Sequence, residues 1–239
     1  MLSLTPDLVA LVHRVVDDPG PTPGFVPMTD DDYRELAERL LADLPAGSAP
    51  WVFAYGSLIW KPAFSSPEHR IAVARGWHRS FALKLSRWRG TPEAPGLMMV
   101  LDRGGSCRGL IYRFPDGDPV EAMIALLKRE MSSKTTTNRP RWLKTETDTG
   151  PVTALAFTAD RAGSAYAGRL PDPVVADVLA TAVGHVGSCA EYLHNTVVHL
   201  EQHDIRDSRL WRLQAMVAER IRTRQARPAA LPGVGERNG

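Results

Sequence analysis

An apolar run, Trp51-Val52-Phe53-Ala54, breaks at Tyr55-Gly56-Ser57-Leu58. Glycine permits a sharp turn there, and consecutive N–H groups can then point to one side as an anion-binding nest. The same pattern describes an ordinary strand exit, and the residues alone favour that simpler reading. Ser57 makes a poor nucleophile: the G-x-S-x-G elbow is absent, and no histidine is tied to it by sequence. A second candidate is Glu130. Val120, Met123, Ile124, Leu127 and Met131 form one apolar stripe at about 100° per residue, and Glu130 falls on its rim beside Met123 and Leu127. The same spacing sends Arg129 to the opposite side. A carboxylate on an apolar rim at a helix C-terminus is disfavoured as an anion twice over, so its pKa is expected to rise, as a general base near neutral pH requires. A lone glutamate reaching past the rim into water is the competing reading.

Three further groups need weighing. Arg89-Gly90-Thr91-Pro92-Glu93-Ala94-Pro95-Gly96 brackets two prolines with two glycines behind an arginine. It reads equally as a cover over a ligand, stiff in the middle with flexible ends, or as a plain hairpin loop. His199 and His203 share a helix face, but Leu200 stands where a zincin needs glutamate and no third ligand follows, so no metal is expected. Cys107 sits in a strand pattern and Cys189 in the first turn of a helix, a place that can lower a thiol pKa. Neither has an obvious base, and both read as packing residues.

The elements that must position these groups are legible in outline. Thr5-Pro6-Asp7 opens a helix expected to reach about Val16. Asp17 to Pro27 holds four prolines and two glycines and reads as a linker. Thr29 caps a helix that begins Asp30-Asp31-Asp32 and stops at Pro45-Ala46-Gly47. Strand patterns follow at Trp51–Tyr55, Ile71–Leu85 (bent at Gly76), Leu97–Leu101, Cys107–Phe114, Trp142–Thr145 and Val152–Thr158. A helix capped by Asp118, with Pro119 first, interrupts them and runs to about Met131. Asp172-Pro173, Ser188 to Glu191 and Asp207 open three closing helices. Strands in the middle with helices at both ends predict an α+β fold, with a small closed or half-open barrel to remove exposed edges. Three units are expected: an N-terminal helical extension (1–49), a catalytic domain (50–222) and a flexible tail (223–239).

Composition narrows the functional classes. The chain has 239 residues, 44% hydrophobic, enough for one sizeable core. No apolar run approaches the roughly 18 residues a membrane span needs, and no signal-peptide cleavage pattern appears. Two cysteines cannot build a disulfide framework, so the expected compartment is the cytoplasm. Net charge is only +2, yet Arg70 to Arg113 carries nine basic residues against Glu93 and Asp102. That middle suits an anionic small molecule, and no nucleic-acid motif accompanies it. Neither nucleic acid nor membrane is expected as a partner, and the sequence fixes no oligomeric state.

Taken together, these segments resemble a ChaC-type gamma-glutamylcyclotransferase. The entry motif W-V-F-x-Y-G-S-L-I-W-K-P stands at Trp51–Pro62, R-G-T-P-x-x-P-G at Arg89–Gly96, G-G-x-C-x-G-x-x-Y at Gly104–Tyr112 and R-E-M at Arg129–Met131. Tyr166 with Gly168 is similar to the family's Y-x-G, and Gly187 to Leu193 to its G-x-x-x-E-Y-L. The resemblance implies a small mixed barrel with helices packed around it. It implies a reaction in which the γ-glutamyl group of glutathione cyclises to 5-oxoproline and Cys-Gly leaves, without a cofactor or metal. It implies Glu130 as the acid/base and a substrate site built from Tyr55, Gly56, Ser57, Leu58, Arg89 and Tyr166. One segment departs: family members often carry a glycine and then a tyrosine soon after the catalytic glutamate, whereas this chain runs Ser132 to Asn138 without either. A cyclotransferase for other γ-glutamyl amines is therefore a second reading. A non-catalytic relative is a third, and it is the one expected to have lost Glu130.

Overall fold

The computed structural model describes residues 2–45 and 47–226. Five strands close a barrel in the order β1-β3-β2-β4-β5. β1 (Trp51–Ala54) lies antiparallel to β3 (Gly96–Arg113) and parallel to β5 (Gly150–Ala159). All four residues of β1 are buried, which is why it reads as a continuous apolar run rather than an alternating one. β2 (His69–Leu85) and β3 form one long hairpin, and β4 (Asn138–Thr147) pairs with β5 in another. A β2–β4 contact at Val73 and Glu146 and a parallel β3–β5 contact at Leu101 and Thr158 complete the closure.

The helices form two groups. α2 (Asp30–Ala42) packs on α3 (Pro119–Glu130). α1 (Pro6–Ala10), α4 (Asp172–Leu179), α5 (Cys189–Gln202) and α6 (Ser208–Ala226) pack together. Local caps set their starts. Thr29 and Asp32 exchange the two bonds of a capping box, and Asp118 accepts from the Val120 amide ahead of α3. The N-terminal extension shares the main core: Leu4 is fully buried, and the Tyr33 hydroxyl donates to the Met131 carbonyl at 2.6 Å.

Three boundaries differ from the sequence reading. α1 stops at Ala10 after five residues instead of reaching Val16. Leu11 and Val15 are exposed, and so short a helix gains nothing by continuing without apolar cover. The two strands expected at Leu97–Leu101 and Cys107–Phe114 are one strand of 18 residues. Gly104 and Gly105, both at positive φ, look like a turn in sequence, but they sit opposite Gly76 of β2 as a bulge. α6 runs to Ala226, past the expected start of the tail. The rest of that tail lies outside the described residues.

Candidate active site

A cavity of about 830 Å³ opens where β1 ends, beside the end of β2 and the beginning of β3. Tyr55 to Leu58 form part of its wall, and Ser57–Ile59 make one 3₁₀ turn. The Ile59 amide donates to the Gly56 carbonyl and the Trp60 amide to the Ser57 carbonyl. The Leu58 amide has no partner inside the turn, as expected at a helical start. Arg79 of β2 fixes this corner from behind. It is buried, its Nε donates to the Tyr55 carbonyl at 2.6 Å, and another guanidinium nitrogen donates to the Arg108 carbonyl at 2.6 Å.

Gly56 is needed for a reason the sequence does not show. Its φ of −139° lies outside the left-handed region that favours glycine. A Cβ there would come within 2.6 Å of the Tyr192 hydroxyl oxygen, so glycine is required for space. Tyr192, on α5, is the site residue that local reasoning missed. Trp60 and Phe81 meet its ring edge-on, with centroids at 5.9 and 6.2 Å. Burial pushes its phenol pKa up to about 12, against a smaller opposing influence from Ser57. The only signal for it in sequence lay in the Gly187–Leu193 segment.

Glu130 is the last residue of α3 and lines the cavity, with its side chain 17% exposed. Burial raises its pKa above the ordinary carboxylate value, while Arg129 pulls the other way. Its charge in turn raises the phenol pKa values of Tyr55 and Tyr192, so the carboxylate lies within electrostatic reach of both. Arg129 was expected on the opposite side of the helix. It wraps back instead, because α3 ends here and Met131 is extended, and its Nε donates to the Glu130 carboxylate at 3.1 Å.

The other expected residues fall differently. Tyr55 lines the cavity, and its hydroxyl donates to the Phe157 carbonyl at 2.8 Å. Arg89 lines the cavity, but its guanidinium donates to the Ser188 carbonyl and to Glu191, both at 2.6 Å, and lies 5.7 Å above the Tyr192 ring. It braces Tyr192 from the cavity wall. Glu191 spends its carboxylate on Arg89, while Ser188 caps α5 by accepting from the Glu191 amide. Tyr166 does not line the cavity. Its hydroxyl donates to Asp102 at 2.7 Å, and Asp102 also receives Arg161. Tyr166→Phe is accordingly expected to leave KM unchanged within twofold and to lower stability by about 1–3 kcal/mol, the cost of a lost hydrogen bond to a charged group; a KM rise of tenfold would return Tyr166 to the site.

The cover also differs. Of the Arg89–Gly96 loop only Arg89 reaches the cavity, and Glu93 is exposed. The cavity is lined instead by Pro21 to Phe25 from the expected linker. Burial pushes both thiols, Cys107 and Cys189, up to about 11, and at Cys189 this outweighs the helix start. His199 donates from Nδ1 to the Asn195 carbonyl one turn back, at 2.7 Å.

A five-stranded mixed barrel thus carries a cavity lined by both the buried Glu130 carboxylate and the Tyr55–Leu58 turn, and this fold is that of the gamma-glutamyl cyclotransferases. The fold comparison agrees: the crystal structure of a glutathione-specific gamma-glutamyl cyclotransferase from yeast matches with a TM-score of 0.65 at 20% identity, over 72% of this chain and 97% of the other. The sequence model of the ChaC-like protein family matches residues 50–220, and the chain belongs to that family. It is 35% identical to the glutathione-specific gamma-glutamylcyclotransferase of Escherichia coli, over 71% of this chain and 73% of that one. It is 36% identical to gamma-glutamylcyclotransferase 2-1 of Arabidopsis thaliana, over 60% and 70%.

Proposed function

We propose that this protein cleaves glutathione to 5-oxoproline and Cys-Gly, with Glu130 as the acid/base. The observation that carries this reading is the Glu130 carboxylate, raised in pKa by burial and placed at the wall it shares with the Tyr55–Leu58 turn. Glu130 takes a proton from the substrate α-ammonium. The freed amine attacks the γ-carbonyl carbon of the same molecule, closing a five-membered ring. The oxyanion that forms is met by the Leu58 amide and the Tyr192 hydroxyl. Collapse breaks the amide bond as Glu130 returns the first proton to the leaving cysteine nitrogen; the second proton, left on the ring nitrogen by the attack, passes to the same amine, so a neutral lactam forms and Cys-Gly leaves as the ammonium. Because the attack is intramolecular, holding the chain folded supplies much of the rate.

Lys61 and Lys84 line the same cavity and suit the carboxylates of an anionic tripeptide. The Escherichia coli relative, a glutathione-specific gamma-glutamylcyclotransferase, supports the choice of substrate. Among the described residues no helix is long and apolar enough to cross a membrane. Two buried free thiols fit a reducing compartment, and we place the reaction in the cytoplasm.

Incubation with glutathione, followed by assay of 5-oxoproline and Cys-Gly, tests the reading directly. Glutathione is expected to be turned over with a kcat/KM well above that for γ-glutamyl-alanine, which lacks the far carboxylate's position. Equal values for the two would replace glutathione with the wider class of γ-glutamyl amines.

A further inference from the structure

The stretch Asp17–Pro27 has the composition of a flexible linker, which stays mobile unless it is tied down. Here it is tied on both banks of the cavity. On one bank the Asp18 carboxylate receives Arg87 through Nε at 2.7 Å and Nη2 at 2.6 Å, a bidentate pair that holds the Asp18 pKa down to about 2. On the other, the Val26 carbonyl accepts from the Lys134 amide at 2.9 Å and from the Ser133 hydroxyl at 3.1 Å, and Pro27 bridges Ser133. That second anchor is the segment immediately after Glu130, where the sequence departs from its relatives' pattern. Between the anchors, Thr22-Pro23-Gly24-Phe25 makes a tight turn: the Phe25 amide donates to the Thr22 carbonyl at 3.0 Å, with Gly24 at φ +79°. Proline second and glycine third are the residues a type II turn demands. Pro21 to Gly24 are exposed, whereas Phe25 is half-buried against the cavity.

We propose that Phe25 is a specificity-determining residue that contacts the amine half of the substrate, the half that leaves. The chemistry fixes the γ-glutamyl end at Glu130 and the Ser57–Leu58 turn, so the remainder of the molecule must extend along the cavity. The strap crosses from Arg87 to Ser133 along that cavity; its Val26 is exposed, and its one aromatic side chain, Phe25, is half-buried against the cavity. The proposal rests on the reaction proposed above.

The test compares wild type, Phe25→Ala, Phe25→Tyr and Asp18→Asn on glutathione and γ-glutamyl-alanine, with melting temperature as the folding control. Phe25→Ala is expected to raise KM for glutathione about tenfold, the equivalent of the roughly 1.4 kcal/mol at the upper end for an aromatic contact, with kcat within twofold. Its kcat/KM for γ-glutamyl-alanine should stay within twofold of wild type, and Phe25→Tyr should restore glutathione KM. Asp18→Asn, which loosens one anchor, should move KM in the same direction by less. An active wild type whose Phe25→Ala variant changes neither substrate, or both by the same factor, overturns the role of Phe25 and leaves the reaction standing. A wild type that turns over neither peptide overturns the reaction and the inference with it.

Discussion

Glu130→Gln is expected to lower kcat by a factor of about 10² to 10⁴, the range for removing a general acid/base, while KM for glutathione stays within a few-fold. Glutamine keeps the size and can still bond Arg129, but it cannot carry the proton from the ammonium to the leaving amine. The pH dependence follows from burial. Glu130 is raised above its ordinary value, so the basic form appears only at higher pH, and kcat/KM of wild type should rise with pH through an apparent pKa above the roughly 4.3 of a free glutamate. Stability runs the other way. Between the unfolded and folded pKa values the native state holds the proton that the unfolded chain has lost, so stability falls as pH rises through that window. Glu130→Gln has no such window, and at neutral pH its melting temperature should equal or exceed that of wild type. Near-wild-type turnover in this variant would move the proton transfer elsewhere. Glu93 is exposed away from the cavity, so Tyr192 would be the next group to test.

Gly56→Ala is expected to lower both stability and kcat/KM. The new methyl would meet the Tyr192 oxygen at 2.6 Å, while its next contacts, the Met99 sulfur at 3.7 Å and the Tyr192 ring carbon at 3.8 Å, are ordinary. The ring is held by Trp60, Phe81 and Arg89, so it cannot swing clear cheaply. Overpacking of this kind costs about 1–3 kcal/mol, which is a melting-temperature drop of roughly 2–12 °C for a domain of this size. The displaced amides should reduce kcat/KM by about tenfold or more, each tenfold being 1.36 kcal/mol of lost transition-state stabilisation. Tyr192→Phe removes the clashing atom. The double variant should therefore melt above Gly56→Ala, a non-additivity that the two single changes cannot show. Equal melting of Gly56→Ala and the double variant would mean that the glycine serves something other than Tyr192.

What could be read beforehand was local. Thr29, Asp118 and Ser188 announce their helices because a cap and its amides are two or three residues apart. The place of Glu130 on the rim of its helix was computable because a helix repeats every 3.6 residues; its role was implied only by the family resemblance. What failed depended on distant partners. The role of Arg89 is set by Glu191, 102 residues on, and that of Tyr166 by Asp102, 64 residues back. The part of the cavity wall at Pro21–Phe25 was out of reach for the same reason: proline and glycine mark a linker, but its anchors at Arg87 and Ser133 are 69 and 107 residues away from their partners. Gly104-Gly105 misled in a different way, since positive φ is shared by hairpin turns and by bulges inside a strand.

The Ser3 and Leu4 amides both donate at 2.8 Å to the Gln214 side chain, across 211 and 210 residues of chain. Arg222 adds a bond to the Ser3 carbonyl. The first helix therefore docks only once α5 and α6, far along the chain, have been made. Closing so long a loop is slow, so these first residues dock late. The stretch Asp17–Pro27 follows a different schedule, because its anchors, Arg87 and Ser133, lie in the middle of the chain and precede the second strand of the β4–β5 hairpin. Two neighbouring pieces of one N-terminal segment are thus tied to parts of the chain made at different times.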